Sequence, residues 1–235
     1  MGRNKKYQDF TGDPPAKIEK FPFYNFELDD DQLEFANAIW DPSKLIIFGR
    51  APAGAGKTTV AMGVANMLVR YGFYDGIIGV VSPCEEMRQG YLPGDITQKS
   101  AVYFEPFYQA MLECNMNPTT DIADDALVNE KNGTAFVKLM THTFTRGSNY
   151  HNKVAILEEF QNYSLRDAKK ILTRFADDCK VIVIGHDGQC DLRDKSQSGF
   201  LPYLEHFKGD PRCAVCELHT NHRGWISTHA DELEF

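Results

Sequence analysis

The chain has no apolar run near the ~20 residues that a membrane-spanning helix requires. Residues 1–20 carry Lys5, Lys6, Pro14, Pro15 and Lys17 and lack the hydrophobic segment of a secretion signal. The sequence therefore predicts a cytoplasmic protein with no membrane partner. Basic residues are in deficit: 25 Lys and Arg face 33 Asp and Glu, a formal net charge of −8. That balance argues against a broad positive field for sequence-independent nucleic-acid binding, and leaves room only for a local basic groove. Six cysteines are scattered along 235 residues, unlike the dense framework of a small disulfide-stapled domain. Cys213-x-x-Cys216 has no second such pair to complete a zinc site. It falls in a strand-like run, Cys213 to Leu218, where residues three apart face opposite sides, so neither a shared metal nor a redox pair is expected. Internal repeats and low-complexity tracts are absent as well. A chain of this length and ordinary apolar content is read as one α/β domain with a full core.

What is present is a phosphate-binding signature. The apolar run Leu45-Ile46-Ile47-Phe48 leads into Ala51-Pro52-Ala53-Gly54-Ala55-Gly56-Lys57-Thr58, and a helix-forming sequence follows at once. Gly54 and Gly56 let the backbone turn so that successive N–H groups point into one small volume, which the positive end of the next helix also faces. Lys57 would reach the β- and γ-phosphates and the Thr58 hydroxyl would ligate Mg2+. Ala53, Gly54, Ala55, Gly56, Lys57, Thr58 and Thr59 form the candidate nucleotide-binding loop. Ala51 stands where the motif usually begins with Gly.

Continuous apolar strands (Leu45–Gly49, Ile77–Val81, Val154–Leu157, Val181–Ile184 and Cys213–Leu218) alternate with amphipathic helices. That pattern means a parallel sheet covered on both faces. A further strand is expected within Thr134–Phe144. The helices are expected over Leu28–Trp40, capped by Asp29 or Asp30, over Val60–Tyr71 and Pro106–Cys114, and after Ser164. In the last, Ser164 and Asp167 form a capping-box arrangement, with Leu165, Ala168, Ile171, Leu172 and Phe175 on one face. Residues 1–20 are expected as a flexible arm and 21–235 as the single domain.

In a parallel sheet, ligands bind beyond the carboxyl ends of the strands. Glu158-Glu159 follows the Val154–Leu157 strand; Glu158 would hold Mg2+ directly or through a water, and Glu159 would orient and deprotonate the attacking water. Gln189, after the Val181–Ile184 strand, is either a γ-phosphate sensor or a polar loop residue. Arg223 lies just past the last strand and is either a finger arginine, from its own or a neighbouring subunit, or a surface ion-pair partner. The aromatics Tyr91, Tyr103, Phe104, Phe107 and Tyr108 are read as core in preference to a stacking surface.

Together, Ala51–Thr58, Gly90-Tyr-Leu-Pro-Gly-Asp95, Phe144-Thr-Arg-Gly147, Ile156-Leu-Glu-Glu-Phe-Gln-Asn162 and Gly185-x-x-x-Gln189 resemble the PhoH-like family over roughly Gln32 to Arg223. These are compact P-loop ATPases related to the first RecA-like domain of superfamily 1 helicases. The resemblance implies a three-layer α/β P-loop NTPase, RecA-like, with ATP and Mg2+ as ligands and a homo-oligomer, plausibly a hexameric ring. It also implies RNA or single-stranded DNA as a partner. By the same likeness Gln32 reads the adenine edge, as a carboxamide that donates and accepts together can do. It places Lys57, Thr58, Glu159, Gln161 and Gln189 at phosphate, metal, catalytic and coupling positions, and Arg223 at the γ-phosphate; the role of Arg146 stays open. Ala51, Ser82, Glu158 and His186 depart from the family's usual Gly, Arg, Asp and Asp. Two other readings are a nucleotide-binding switch or scaffold with little turnover and a small-molecule kinase. The kinase is disfavoured because no Arg-rich lid is evident.

Overall fold

A computed structural model describes residues 10–82, 102–123, 133–142, 149–186 and 188–231. Gly90–Asp95, Tyr91, Arg146 and the rest of Phe144–Gly147 lie outside the described residues. The strands are β1 (Ile46–Arg50), β2 (Gly76–Val81), β3 (Val137–Thr141), β4 (Lys153–Leu157), β5 (Lys180–Gly185) and β6 (Cys213–Glu217). They form one parallel sheet in the order β3-β2-β4-β5-β1-β6. The helices are α1 (Asp30–Trp40), α2 (Lys57–Arg70), α3 (Glu105–Glu113), the single turn α4 (Pro118–Asp121), α5 (Leu165–Leu172), α6 (Phe200–Phe207) and α7 (Trp225–Asp231).

Both faces of the sheet are covered because alternate residues of each strand are apolar on opposite sides. Ile47, Ile156, Ile182 and Ile184 pack with Phe35 of α1, Val60 of α2 and Phe107 of α3. Phe48, Ala155, Leu157 and Val183 pack instead with Ala168 of α5 and Phe200 of α6. This is the three-layer α/β fold of P-loop NTPases. Cys213 and Cys216 fall in opposite layers, as their spacing requires. Among the aromatics, Phe107 is fully buried and Tyr103 is exposed. No helix among the described residues is long and apolar enough to cross a membrane.

Local signals explain most of the boundaries. Asp29 caps α1, its side chain accepting from Gln32 N while the Gln32 side chain accepts from Asp29 N. Ser164 caps α5 by accepting from Asp167 N; the return bond runs from the Ser164 hydroxyl to Asp167 Oδ2 rather than to the backbone. Leu165 departs from the expected apolar face: it is exposed, and the buried residues of α5 are Ala168 and Ile171. The sequence pattern did not single out α6 or α7, although Gly209, with φ 96°, and Pro211 follow the end of α6 as a stop signal. In α6, only Phe200 and Leu204 are buried; α7 leaves Trp225 and Ile226 exposed.

Residues 10–20, assigned above to an arm, lie against the domain. Ile18 is buried, its N–H donates to Asn37 Oδ1, and the Trp40 indole donates to Pro15 O. Farther along, the buried Tyr24 hydroxyl donates to Gly63 O on α2 at 2.8 Å and accepts from Asn66 Nδ2 at 3.0 Å. Tyr24→Phe leaves that amide donor without its partner. We expect a loss of about 1–3 kcal/mol, read as a lower melting temperature with nucleotide affinity unchanged.

Candidate nucleotide-binding site

Because the sheet is parallel, four strand ends open on the same edge. The β1 end enters the P-loop, the β4 end carries Glu158 and Glu159, the β5 end carries His186 to Gln189, and the β6 end leads into residues 218–224. Strand β5 sits between β1 and β4, so its loop lies between the P-loop and the two acids. Gly54 and Gly56 take positive φ, 79° and 74°, which lets the loop close on the first turn of α2. Lys57 is buried, and its ammonium donates to Ala51 O at 3.1 Å and Pro52 O at 3.0 Å, folding back over the loop it follows.

Thr58 Oγ1 donates to Glu158 Oε1 at 2.9 Å, which joins the two residues expected at a metal. Glu158 is 3% exposed, and its buried Oε2 has no hydrogen-bond partner among the described residues. Burial first, and then the charge of Glu159, push its carboxyl up from 4.5 to about 7, against the opposing effects of Lys57 and the Thr58 bond. An orphaned carboxylate oxygen beside a threonine hydroxyl fits Mg2+, which takes one or two carboxylates and completes its shell with water and phosphate oxygens. The described residues contain no cluster of three or more His, Cys, Asp or Glu that would form an all-protein cage.

Glu159 is exposed and left-handed, with φ 52° and ψ 44°, and opens the turn Phe160–Asn162. A non-glycine residue held there is strained by about 1–3 kcal/mol. Gln161 is buried, and its side chain links the acid to the β5 loop. Its amide donates to Glu159 Oε2 and to Gln189 O (3.1 Å), while its oxygen accepts from His186 N at 3.0 Å. Asn162 next to it pairs with Asp191 in both directions. The Gln189 side chain is exposed at the same edge.

Arg223 belongs to the same chain as the P-loop it covers. A Cβ on Gly54 would lie 2.6 Å from Asn221 Oδ1 and 2.9 Å from Arg223 Cγ, so the arginine stem rests directly on the loop. His222 N donates to Gly54 O at 2.9 Å. Gly54→Ala adds this clash to an unfavourable φ, and we expect a cost of about 1–2 kcal/mol from the backbone conformation alone. Thermal denaturation measures it; an unchanged midpoint would contradict the placement of the loop.

Comparison with known proteins gives the family. A family model described as PhoH-like protein matches residues 27–223. The chain belongs to the PhoH-like family. Among its relatives, Protein PhoH of Escherichia coli K12 is 33% identical over 186 residues, 78% of this chain and 50% of that protein. A PhoH-like protein of Mycobacterium tuberculosis H37Rv is 30% identical over 190 residues, 80% of this chain and 51% of the other. One from Bacillus subtilis is 29% identical over 176 residues, 74% and 52% of the two chains. The PhoH-like chain thus spans about half the length of the curated relatives it matches.

Two of the departures from the family pattern have local explanations. Ala51 is buried in the core layer of α1 and α2 and gives its carbonyl to Lys57, so its methyl group is packed. Ser82 is buried, and its hydroxyl donates to Asn162 O, placing it under the turn that carries Gln161. The buried His186 Nδ1 has no hydrogen-bond partner among the described residues. Thr59, counted with the nucleotide-binding residues, donates to Glu113 Oε2 of α3 at 2.7 Å, a link between the first turn of α2 and the next helix. Gln32 is 5% exposed and donates to Ala55 O at 3.0 Å, so in this PhoH-like chain its carboxamide braces the P-loop. That brace was not legible in sequence, because it joins positions brought together only by the packing of α1 on α2.

Proposed function

We propose that the protein is a Mg2+-dependent ATPase of the cytoplasm that works on RNA or single-stranded DNA as an oligomer. The observation that carries this reading is the convergence of the P-loop, the Glu158-Glu159 pair, the Gln161–β5 loop network and Arg223 at one sheet edge. ATP would lie with its phosphates on the N–H groups of residues 54–58 at the start of α2. Lys57 would leave the carbonyls of Ala51 and Pro52 for the β- and γ-phosphates. Thr58 and Glu158 would hold Mg2+, which when bound neutralises charge on the β- and γ-oxygens. Glu159, oriented by Gln161, takes the proton of the attacking water as its oxygen bonds to the γ-phosphorus and the bond to ADP breaks.

The contact of the Arg223 stem with Gly54 of its own chain supports an arginine acting in cis. A ring would then be needed for nucleic-acid engagement rather than to complete the site. Basal specific activity, without nucleic acid, would therefore be independent of protein concentration. The test is phosphate release with RNA, single-stranded DNA, duplex or no addition, at low salt and across protein concentration. Stimulation by single strands that falls steeply with salt supports the full reading. Nucleotide binding with background phosphate release would replace it with a nucleotide-binding switch.

A further inference from the structure

Residues 218–224 run across the P-loop with little apolar support: after the buried Leu218, every residue to Gly224 is half-buried or exposed. Polar ties hold this strap. Its backbone is fixed at two points, Leu218 N to Arg50 O and His222 N to Gly54 O, both 2.9 Å. Asn221 accepts from Arg223 N and donates to Ser227 Oγ, which makes the strap and the start of α7 one unit. Two imidazole–carboxylate pairs then join it to the N-terminus of α1. His222 Nε2 lies 2.8 Å from Asp29 Oδ2, and His219 Nδ1 lies 2.9 Å from Asp31 Oδ2, which also accepts from His219 N. The His219 hydrogen bonds hold the Asp31 carboxyl below its usual range. Glu217 is the other acid close to His219, with its Oε2 3.8 Å from Nε2.

Asp29 is the hinge of the arrangement because its two oxygens serve different partners. Oδ1 accepts from Gln32 N and caps α1, while Oδ2 meets His222. Gln32 in turn grips the P-loop through Ala55 O. The N-terminus of α1 therefore holds the P-loop through Gln32 and the strap through Asp29 and Asp31. The guanidinium of Arg223 makes no ion pair or hydrogen bond among the described residues, so only the strap locates it.

We propose that Asp29–His222 and Asp31–His219 are a latch that positions Arg223 over the phosphate site, with Asp29 and His222 as its principal positioning residues. The proposal rests on the ATPase reading for its consequence but not for its geometry. Removing the latch leaves the nucleotide-binding loop intact and frees the arginine, so it acts on turnover and not on affinity.

Asp29→Ser tests it without unfolding the helix, since Ser caps a helix N-terminus as well as Asp does and its single short hydroxyl leaves His222 Nε2 without its carboxylate partner. In nucleotide-free Asp29→Ser, the His222 amide should exchange with solvent about tenfold faster, with the melting temperature nearly unchanged; unchanged exchange overturns the latch. His222→Ala should lower kcat by roughly 10–100-fold, the scale of a misplaced catalytic group, with the Kd of a fluorescent nucleotide nearly constant. The same substitution in an Arg223→Ala background should cost nothing further. Additive losses, or a fall in affinity equal to the fall in kcat, overturn the positioning role. If the wild type shows no turnover, the ATPase reading and the positioning role fail together, and the exchange measurement still decides whether the latch exists.

Discussion

Glu159→Gln is expected to lose ATP turnover by about 10²–10⁴-fold, the usual contribution of a positioned general base, while nucleotide still binds. The substitution keeps the size of the side chain and its hydrogen bond from Gln161, and removes only the capacity to take a proton. The residues assigned to phosphate and metal, Lys57, Thr58 and Glu158, are untouched. Steady-state phosphate release and titration with a fluorescent nucleotide measure the two halves separately. Turnover within about threefold of the wild type would sink the assignment of Glu159 as base. A parallel loss of binding would mean that the left-handed turn at Glu159 shapes the loop rather than the chemistry.

The second large effect concerns stability. Glu158 is buried and its carboxyl is pushed up from 4.5 to about 7, so the folded chain holds a proton that the unfolded chain releases. A raised carboxyl pKa makes folding most favourable at low pH, and its penalty grows as pH climbs from about 4.5 through 7. Glu158→Gln removes the titration. The stability of the variant relative to the wild type should therefore rise by about 2–3 kcal/mol between pH 5 and pH 8. For a domain of this size that is a relative shift in melting temperature of roughly 5–10 °C. Titrating groups remote from Glu158 are common to both proteins and cancel in the comparison. Added Mg2+ and nucleotide should reverse the order at pH 8, because ligand binding stabilises the chain that can hold the metal. A stability difference that is flat with pH would contradict the burial of this carboxylate.

Much of this site was legible in the sequence because its parts are local. A P-loop needs glycines, a lysine and a threonine in one short stretch between strand and helix, and that stretch is read without tertiary knowledge. Glu158 and Glu159 were legible for a similar reason: four apolar residues and then two acids mark the end of a buried strand. The α1 cap was legible as Asp29 or Asp30, and the structure selects Asp29, paired with Gln32 three residues on. Helices α6 and α7 were missed because their buried residues are too few to establish a period, and tertiary packing selects them instead.

The functional detail that sequence reasoning missed is long-range. The Gln32 carboxamide, expected at the adenine edge, also braces Ala55 from 23 positions away. Thr59, expected in the nucleotide-binding loop, also bonds Glu113 across 54 positions. His219 and His222 carried no motif at all, and their aspartate partners lie 188 and 193 positions earlier.

By itself, the sequence determined the fold class, the phosphate loop and the acidic strand end, because backbone geometry and alternating burial write those features into short runs of residues. The tertiary structure alone decided that β5 sits between the P-loop and the acids, that Gln161 ties Glu159 to the β5 loop, and that Arg223 rests on Gly54 of its own chain. Those are consequences of strand order and of the path taken after β6. Strand order brings together residues whose separation along the chain carries no periodic or spacing signal.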